Sequence, residues 1–260
     1  ASCKLEDVTP QIFAVDRPYV NNSGSFTIMG MGFGAAHGAG KVTLDGVALA
    51  VSAWSDTQIT VDVPATVSPG AKQLLITADN GQRTVNGLTF HVLRGAYMPT
   101  VYEVGPGKTY TTIQSAINAA AGSPQDGLVV VYPGTPAQWN PSGAYYENLV
   151  IYSPIKLQGV GPGGVRPDAT SVLGSVLDGV GVTGDQAYAG EWRDFVDTLQ
   201  WDGNQNIYEG PVVYVLAEDG EFTAGYKATI DGFTITGGDQ QGWPNVVEGK
   251  DPGVRDFVMV

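Results

Sequence analysis

The sequence predicts an all-β protein built as two successive units, a small sandwich and then a stack of strand–turn coils, with one short helix just before the first coil. Three observations carry that reading. Over residues 8–93, short runs rich in Val, Ile and Thr end in Gly, Pro or Asn-Gly, the pattern of strands closed by tight turns. From residue 128 onward, brief apolar strands ending in Gly or Asp-Gly recur at coil-sized intervals of roughly 20–30 residues, a unit that buries its own face only when successive copies stack. Between the two patterns, KTYTTIQSAINAAAG (108–122) places Ile113, Ala116, Ile117 and Ala120 on one helical face, at the i, i+3, i+4, i+7 spacing.

In the first unit, FTIMG (26–30), KVTLDG (41–46), TQITVDVP (57–64) and AKQLLITADNG (71–81) read as strands. About seven such strands in about 90 residues predict an Ig-like sandwich. The phrases TPQIFAV, GSFTIMGMGFG, VSAWSDTQITVDVPATVSPG and GLTFHV, with the Gly30, Gly32, Phe33, Gly34 turn and Trp54-Ser55 before a strand, resemble the IPT/TIG domain family in order and spacing across the segment. The resemblance implies a spacer or a glycan- or protein-binding module of a secreted bacterial protein. DNA-binding relatives use basic loops, whereas this segment is neutral to slightly acidic. Trp54 is expected to pack within the sandwich or at a strand edge.

RGAYMPT (94–100) is the joint, and VYEVGPGKTY leads into the helix. Thr111 is expected to cap its first turn with Gln114 bonding back, and Gly122 to supply a left-handed stop. LVVVYPGT (128–135), YYENLVIYSPIKLQGVG (145–161), SVLGSVLDGVG (171–181), PVVYVLAEDG (211–220) and ATIDGFTITGG (228–238) supply the strands. A stack of coils begins with an unpaired edge and an open apolar bore. A helix just before the first coil can cover that bore. The run from GPGKTYTTIQSAINAAAG through GLVVVYPGT and YYENLVI to IKLQGVG is similar to the opening of right-handed parallel β-helix proteins of the pectin lyase-like superfamily, pectin methylesterases among them. The expected fold is therefore an Ig-like β-sandwich (1–95) followed by a right-handed parallel β-helix (96–260) with a short N-terminal capping helix. The resemblance belongs to the scaffold and not to a chemistry. The methylesterases' Gln-Ala-Val-Ala-Leu and Asp-Phe-Ile-Phe-Gly phrases have no counterpart, and GDQQG (238–242) and RDFVMV (255–260) do not replace them.

Charge and composition narrow the function. Residues 1–95 hold 6 Lys and Arg against 7 Asp and Glu, while residues 96–260 hold 7 against 19. The second unit should repel nucleic acid and other polyanions unless a cation bridges them. His37 and His91 are the two histidines and both lie in the first unit, so imidazole acid–base chemistry is unavailable to residues 96–260. No run approaches the apolar length of a membrane span. Ala1-Ser2-Cys3 looks like a terminus left by cleavage after small residues, and Cys3, the single cysteine, makes neither an internal disulfide nor a cysteine zinc site. An extracellular or cell-surface setting of bacterial type is expected.

Chemistry is expected in two insertions, PAQWNPSGA (136–144) and a longer one at about 182–210 containing EWRDFVDTLQWDGNQNIYEG, since loops on a rigid scaffold carry function. Trp139, Trp192, Trp201 and Trp243 sit in loop-like contexts, with Tyr208 in the longer insertion. Flat rings beside Asn, Gln and Asp suit sugar rings; the alternative is that they fold the loops down onto the wall. Glu191, Asp194, Asp197, Asp202 and Glu209 are either solvated, or hold Ca²⁺, or include an acid pair for glycoside hydrolysis. For the metal, the set is Asp194, Asp197 and Asp202. Asp178 and Asp231, each before Gly, are expected to bond their own backbone in turns. A β-elimination lyase would draw its base from Lys156, Arg166, Arg193 or Lys227. VRDFVMV (254–260) reads as a strand with an apolar side. It predicts that a second polypeptide, such as the other product of a cleavage, or another copy covers the edge after Val260, unless the chain is an ordered fragment. The leading expectation is a surface module that binds glycan or partner protein or serves as a structural component. The alternative is a polysaccharide lyase or glycoside hydrolase whose groove is completed by coils beyond Val260.

Overall fold

The computed structural model describes residues 9–123, 126–179, 212–216 and 226–237, and within them the chain is nearly all β with one α-helix. Nine strands cover residues 11–93: β1 (Gln11–Val15), β2 (Tyr19–Asn21), β3 (Gly24–Met31), β4 (Lys41–Leu44), β5 (Val47–Ala48), β6 (Ala50–Trp54), β7 (Gln58–Val63), β8 (Gly70–Thr77) and β9 (Leu88–Leu93). They form two sheets, ordered β1-β3-β7-β6 and β2-β9-β8-β4-β5. Alternation does the rest: Phe26 and Ile28 of β3, Ile59, Val61 and Val63 of β7, Leu74 and Ile76 of β8 point into one shared core. The Gly30–Gly34 phrase has a steric basis. A Cβ on Gly30 would lie 2.0 Å from the Gln11 carbonyl oxygen and 2.6 Å from the Phe33 ring, which is fully buried.

Residues 101–237 pair differently. The elements are β10 (Val101–Val104), α1 (Ile113–Ala120), β11 (Leu128–Val131), β12 (Tyr145–Tyr146), β13 (Leu149–Ile151), β14 (Lys156–Gly159), β15 (Gly164–Val165), β16 (Ser171–Val172), β17 (Ser175–Gly179), β18 (Val213–Val215), β19 (Thr229–Asp231) and β20 (Phe233–Gly237). β10-β11-β14-β19, β12-β17-β20 and β13-β18 are three wholly parallel sheets. Among the described residues the chain from β11 onward visits them in a repeating cyclic order, interrupted by the antiparallel pair β15–β16. Val129, Val131, Leu149, Ile151, Leu157, Leu177 and Val213 meet in an interior cluster. The other face of β11, Leu128 and Val130, packs with Leu93 of β9. That is why LVVV is apolar at every position: both faces of the sheet are covered.

The helix sits where the periodicity predicts, with Ile113, Ala116, Ile117 and Ala120 buried in the interior cluster. Its caps are other than expected. The N-cap is Thr112, without a side-chain cap bond. Glu147, far along the chain, accepts from the Ile113 and Gln114 N–H groups at 2.8 and 3.0 Å, a carboxylate at the positive end of the helix. Burial pushes its carboxyl up, and those two bonds pull the other way. Gln114 does not bond back to Thr111. Its amide accepts from the Val150 N–H (2.8 Å) and donates to the Val150 carbonyl (3.1 Å), closing the edge of β13 that no strand covers among the described residues. Gly122 supplies no left-handed stop: it is not among the positive-φ glycines, and the helix ends at Ala121 in right-handed conformation, its N–H bonded to Ile117.

The two sets of strands meet along a continuous seam. The Val15 N–H donates to the Val160 carbonyl (2.8 Å) and the Gly163 N–H to the Phe13 carbonyl (2.8 Å). Val160 and Val172 complete the sandwich core. A Cβ on Gly164 would lie 2.6 Å from the Phe13 ring, so only glycine lets the backbone lie flat on it. Arg166 donates to the carbonyls of Gly30 (3.1 Å) and Thr57 (3.2 Å). Deeper in the seam, Gln158 has its amide nitrogen on the Gly159 carbonyl (2.9 Å), leaving its oxygen to accept from His91 Nε2 (3.0 Å). His91 Nδ1 then accepts from the Tyr97 hydroxyl (2.8 Å). Burial pushes His91 down to about 4, against the opposing Gln158 bond, with Lys156 lowering it further and Asp231 raising it.

Candidate functional site

The connection from β11 to β12 leaves the wall as a short hairpin. The Gly134 N–H donates to the Gly143 carbonyl (2.9 Å), and Ala137 and Asn140 exchange backbone bonds of 2.9 and 3.0 Å, which puts Gln138 and Trp139 at a two-residue tip. Asn140 fixes the return limb: its Oδ1 accepts from the Ala144 N–H (2.8 Å) and the Ser142 hydroxyl (3.4 Å), and its Nδ2 donates to the Ala144 carbonyl (2.9 Å). The limbs touch so closely that a Cβ on Gly134 or Gly143 would lie 2.5 or 2.3 Å from the other's carbonyl oxygen. On this pinned loop Trp139 is 87% exposed, and Tyr146 at its foot is 42% exposed. A large ring left in water on a well-bonded loop forgoes most of the roughly 2–3 kcal/mol that burying it would add to the fold.

Beneath the loop lies a second cluster. Glu103 of β10 accepts from the hydroxyls of Tyr132 (2.6 Å) and Tyr19 (3.2 Å) and from Lys108 Nζ (3.1 Å). The Lys108 ammonium stands 4.2 Å from the centre of the Tyr132 ring, a cation–π distance. Partial burial opposes the charge on Glu103, but the bonds from Tyr132, Lys108 and Tyr19 outweigh it and hold the carboxyl below its usual range. Burial, then the bond and charge of Glu103, raise Tyr132. The Tyr145 hydroxyl donates to the Tyr132 carbonyl (2.9 Å), tying the foot of the loop to this cluster. Tyr19 comes from the sandwich, Glu103 from β10, Lys108 from the connection between β10 and α1, and Tyr132 from the residue after β11. Nothing in local spacing brings them together, and the sequence signal that does exist is the alternation that turns Glu103 outward from β10.

Of the residues singled out in the sequence, Trp139 is the one the structure describes as a presented ring, and it does not fold down onto the wall. Trp192, Trp201, Tyr208 and Trp243 lie outside the described residues, as do Glu191, Asp194, Asp197, Asp202, Glu209, Arg193, Cys3 and Val260. Among the described residues no three His, Cys, Asp or Glu side chains gather to hold a metal. Trp54 is half-buried in the sandwich, its Nε1 bonded to the Gly34 carbonyl (3.1 Å). Asp178 and Asp231 lie in strands and not in self-bonded turns: the glycine after Asp231, Gly232, takes the left-handed conformation at φ 78°, and Asp231 Oδ2 accepts from the Thr89 N–H across the seam (2.6 Å). The described base candidates are dispersed. Arg166 is bound to the sandwich, Lys156 donates to the Asp126 carbonyl (3.1 Å), and Lys227 is exposed. Among the described residues no helix is long and apolar enough to cross a membrane.

The family model of the IPT/TIG domain matches residues 10–92, the segment of the two-sheet sandwich. IPT/TIG domains serve in general in surface or binding roles and are common in extracellular proteins. Among solved structures, the gamma-CGTase from alkalophilic Bacillus clarkii is 28% identical over 41% of this chain and 15% of that chain, with a TM-score of 0.32. A likeness at that score says nothing about the activity of this chain. No curated protein matches it.

Proposed function

We propose that the chain is an extracellular, surface-type binding module in which an IPT/TIG sandwich (1–95) is docked on the first coils of a right-handed parallel β-helix (96–260), and that the Trp139 hairpin is its contact with a glycan. The β-helix reading is supported by three parallel sheets visited in a repeating order, an interior lined from every side, and a helix lying over the first interior layer. The glycan reading rests on one observation, the 87% exposed indole at the tip of a loop whose backbone bonds are satisfied internally. An indole face takes the C–H face of a pyranose, and a loop already held in place loses little freedom on binding. Glu103 and Glu147 are both engaged in hydrogen bonds that hold the scaffold, so binding is favoured over catalysis for the described coils.

The test is affinity electrophoresis of the full chain through gels containing polysaccharide, comparing it with Trp139→Ala. The substitution is expected to abolish retardation and leave the melting temperature unchanged. Equal retardation of both proteins removes Trp139 from the contact, and an equal loss of stability returns it to packing.

A further inference from the structure

We infer, resting on that reading, that the Trp139 platform is built for uncharged polysaccharide and discriminates against acidic polymers. From Pro133 to Tyr146 the chain carries no Asp, Glu, Lys, Arg or His. The groups that flank the indole at the tip are the Gln138 amide and the Asn140 backbone, and Asn140 spends its side chain inside the loop. At the foot of the loop the two charges of the Tyr132 cluster, Lys108 and Glu103, neutralise each other at 3.1 Å. The platform therefore offers an apolar face, amide and hydroxyl edges, and no free cation among the described residues of the loop.

The net charge of the whole chain has the sign that opposes a polyanion, at a formal −13. A uronate or sulfated chain approaching this acidic protein finds no cation in the 133–146 loop to offset the repulsion. A basic peptide would be drawn by that charge, but the loop holds no carboxylate to pair with it. Neutral hydroxyls and C–H faces are the chemistry left. Their recognition is not weakened by the screening that salt imposes on charge contacts.

Gels containing a neutral β-glucan, galactomannan or xylan, or else polygalacturonate or alginate, separate the outcomes at low salt and at roughly 0.5 M salt. The expected result is retardation by a neutral polymer that changes by less than about twofold with salt, absent in Trp139→Ala, and none by the acidic ones. A second variant, Gln138→Lys, places the missing cation at the tip. It is expected to gain salt-sensitive binding to polygalacturonate that the parent chain lacks. Stronger Trp139-dependent retardation of the parent chain by polygalacturonate than by neutral polymers overturns the charge inference and leaves the glycan reading standing. Retardation by none of the polymers overturns the glycan reading itself.

Discussion

The seam between the two sets of strands and the hairpin at 133–146 are made from the same kinds of side chain, aromatic rings and amides, and use them in opposite ways. At the seam, Phe13 is 5% exposed against Gly164, and the His91 ring is bonded at both nitrogens, to Tyr97 and to Gln158. At the hairpin the Asn140 amide is just as fully occupied, yet the neighbouring indole stands 87% in water. Both regions follow the rule that polar groups held in place are hydrogen-bonded. They differ in where the aromatic area goes. Buried against glycine it joins two halves of a molecule; held out on a braced loop it contributes nothing to the fold and is available to a ligand.

Breaking the seam should have the largest effect. Phe13→Ala removes a ring that packs both in the sandwich core and on the 161–164 backbone, and a substitution of that kind costs about 3–5 kcal/mol. Urea unfolding followed separately by tryptophan fluorescence and far-UV circular dichroism checks this. The expected result is a lower midpoint together with separation of the two curves, since the halves lose their common surface. A cost below about 1 kcal/mol with superimposed curves would show that the ring joins nothing.

The seam also carries a pH dependence that the hairpin lacks. His91 is held neutral in the fold, at about 4, against an ordinary value near 6.5. Below that ordinary value the unfolded chain takes up a proton that the folded chain does not. The contribution of the neutral ring is thus fully present above about pH 6.5 and declines as pH falls toward 4. Between pH 7 and pH 5 the loss is about 2 kcal/mol. His91→Gln should be less stable than the parent at pH 7, with the gap narrowing by that amount at pH 5. A gap independent of pH between 5 and 7 would mean that the ring takes up its proton in the fold as readily as in the unfolded chain.

Much of this scaffold was legible from local pattern, and the parts that were not share a cause. Ile113, Ala116, Ile117 and Ala120 announce both the helix and its buried face, because helical spacing is a property of neighbours in sequence. The strands ending in Gly or Asp-Gly do the same, and the 136–144 insertion marks its loop. The helix cap is not legible locally because its acceptor, Glu147, comes from the next turn of the scaffold, and Thr111 offers a local alternative that the fold does not use. Asp231 reads as a residue of its own turn for the same reason, whereas its partner is the Thr89 N–H, 142 residues away in sequence. His91 with Gln158, and Tyr19 with Glu103, exist as pairs only once two distant segments are packed. Long-range polar pairs leave no periodicity to read. The exposure of Trp139 was likewise open, since a Trp among Pro, Asn and Ser fits a packed loop as well as a presented one.

The smallest expected effect on stability separates the indole from the brace that holds it. Asn140→Ala leaves Trp139 in place but removes three side-chain bonds within the loop. One of these is exposed and two are part-buried on a projecting loop where water can replace lost partners, so the melting temperature should stay within what about 0.5 kcal/mol produces. Glycan binding should weaken by more than that, roughly three- to tenfold, because an unbraced tip must be ordered when the ligand binds. Restoring an acceptor with Asn140→Asp should recover part of the loss, since a carboxylate can still take the Ala144 N–H but cannot donate to the Ala144 carbonyl. If Asn140→Ala binds as well as the parent, the indole alone makes the contact and the brace is incidental. If it binds as poorly as Trp139→Ala with an unchanged melting temperature, the geometry of the loop matters as much as the ring it carries.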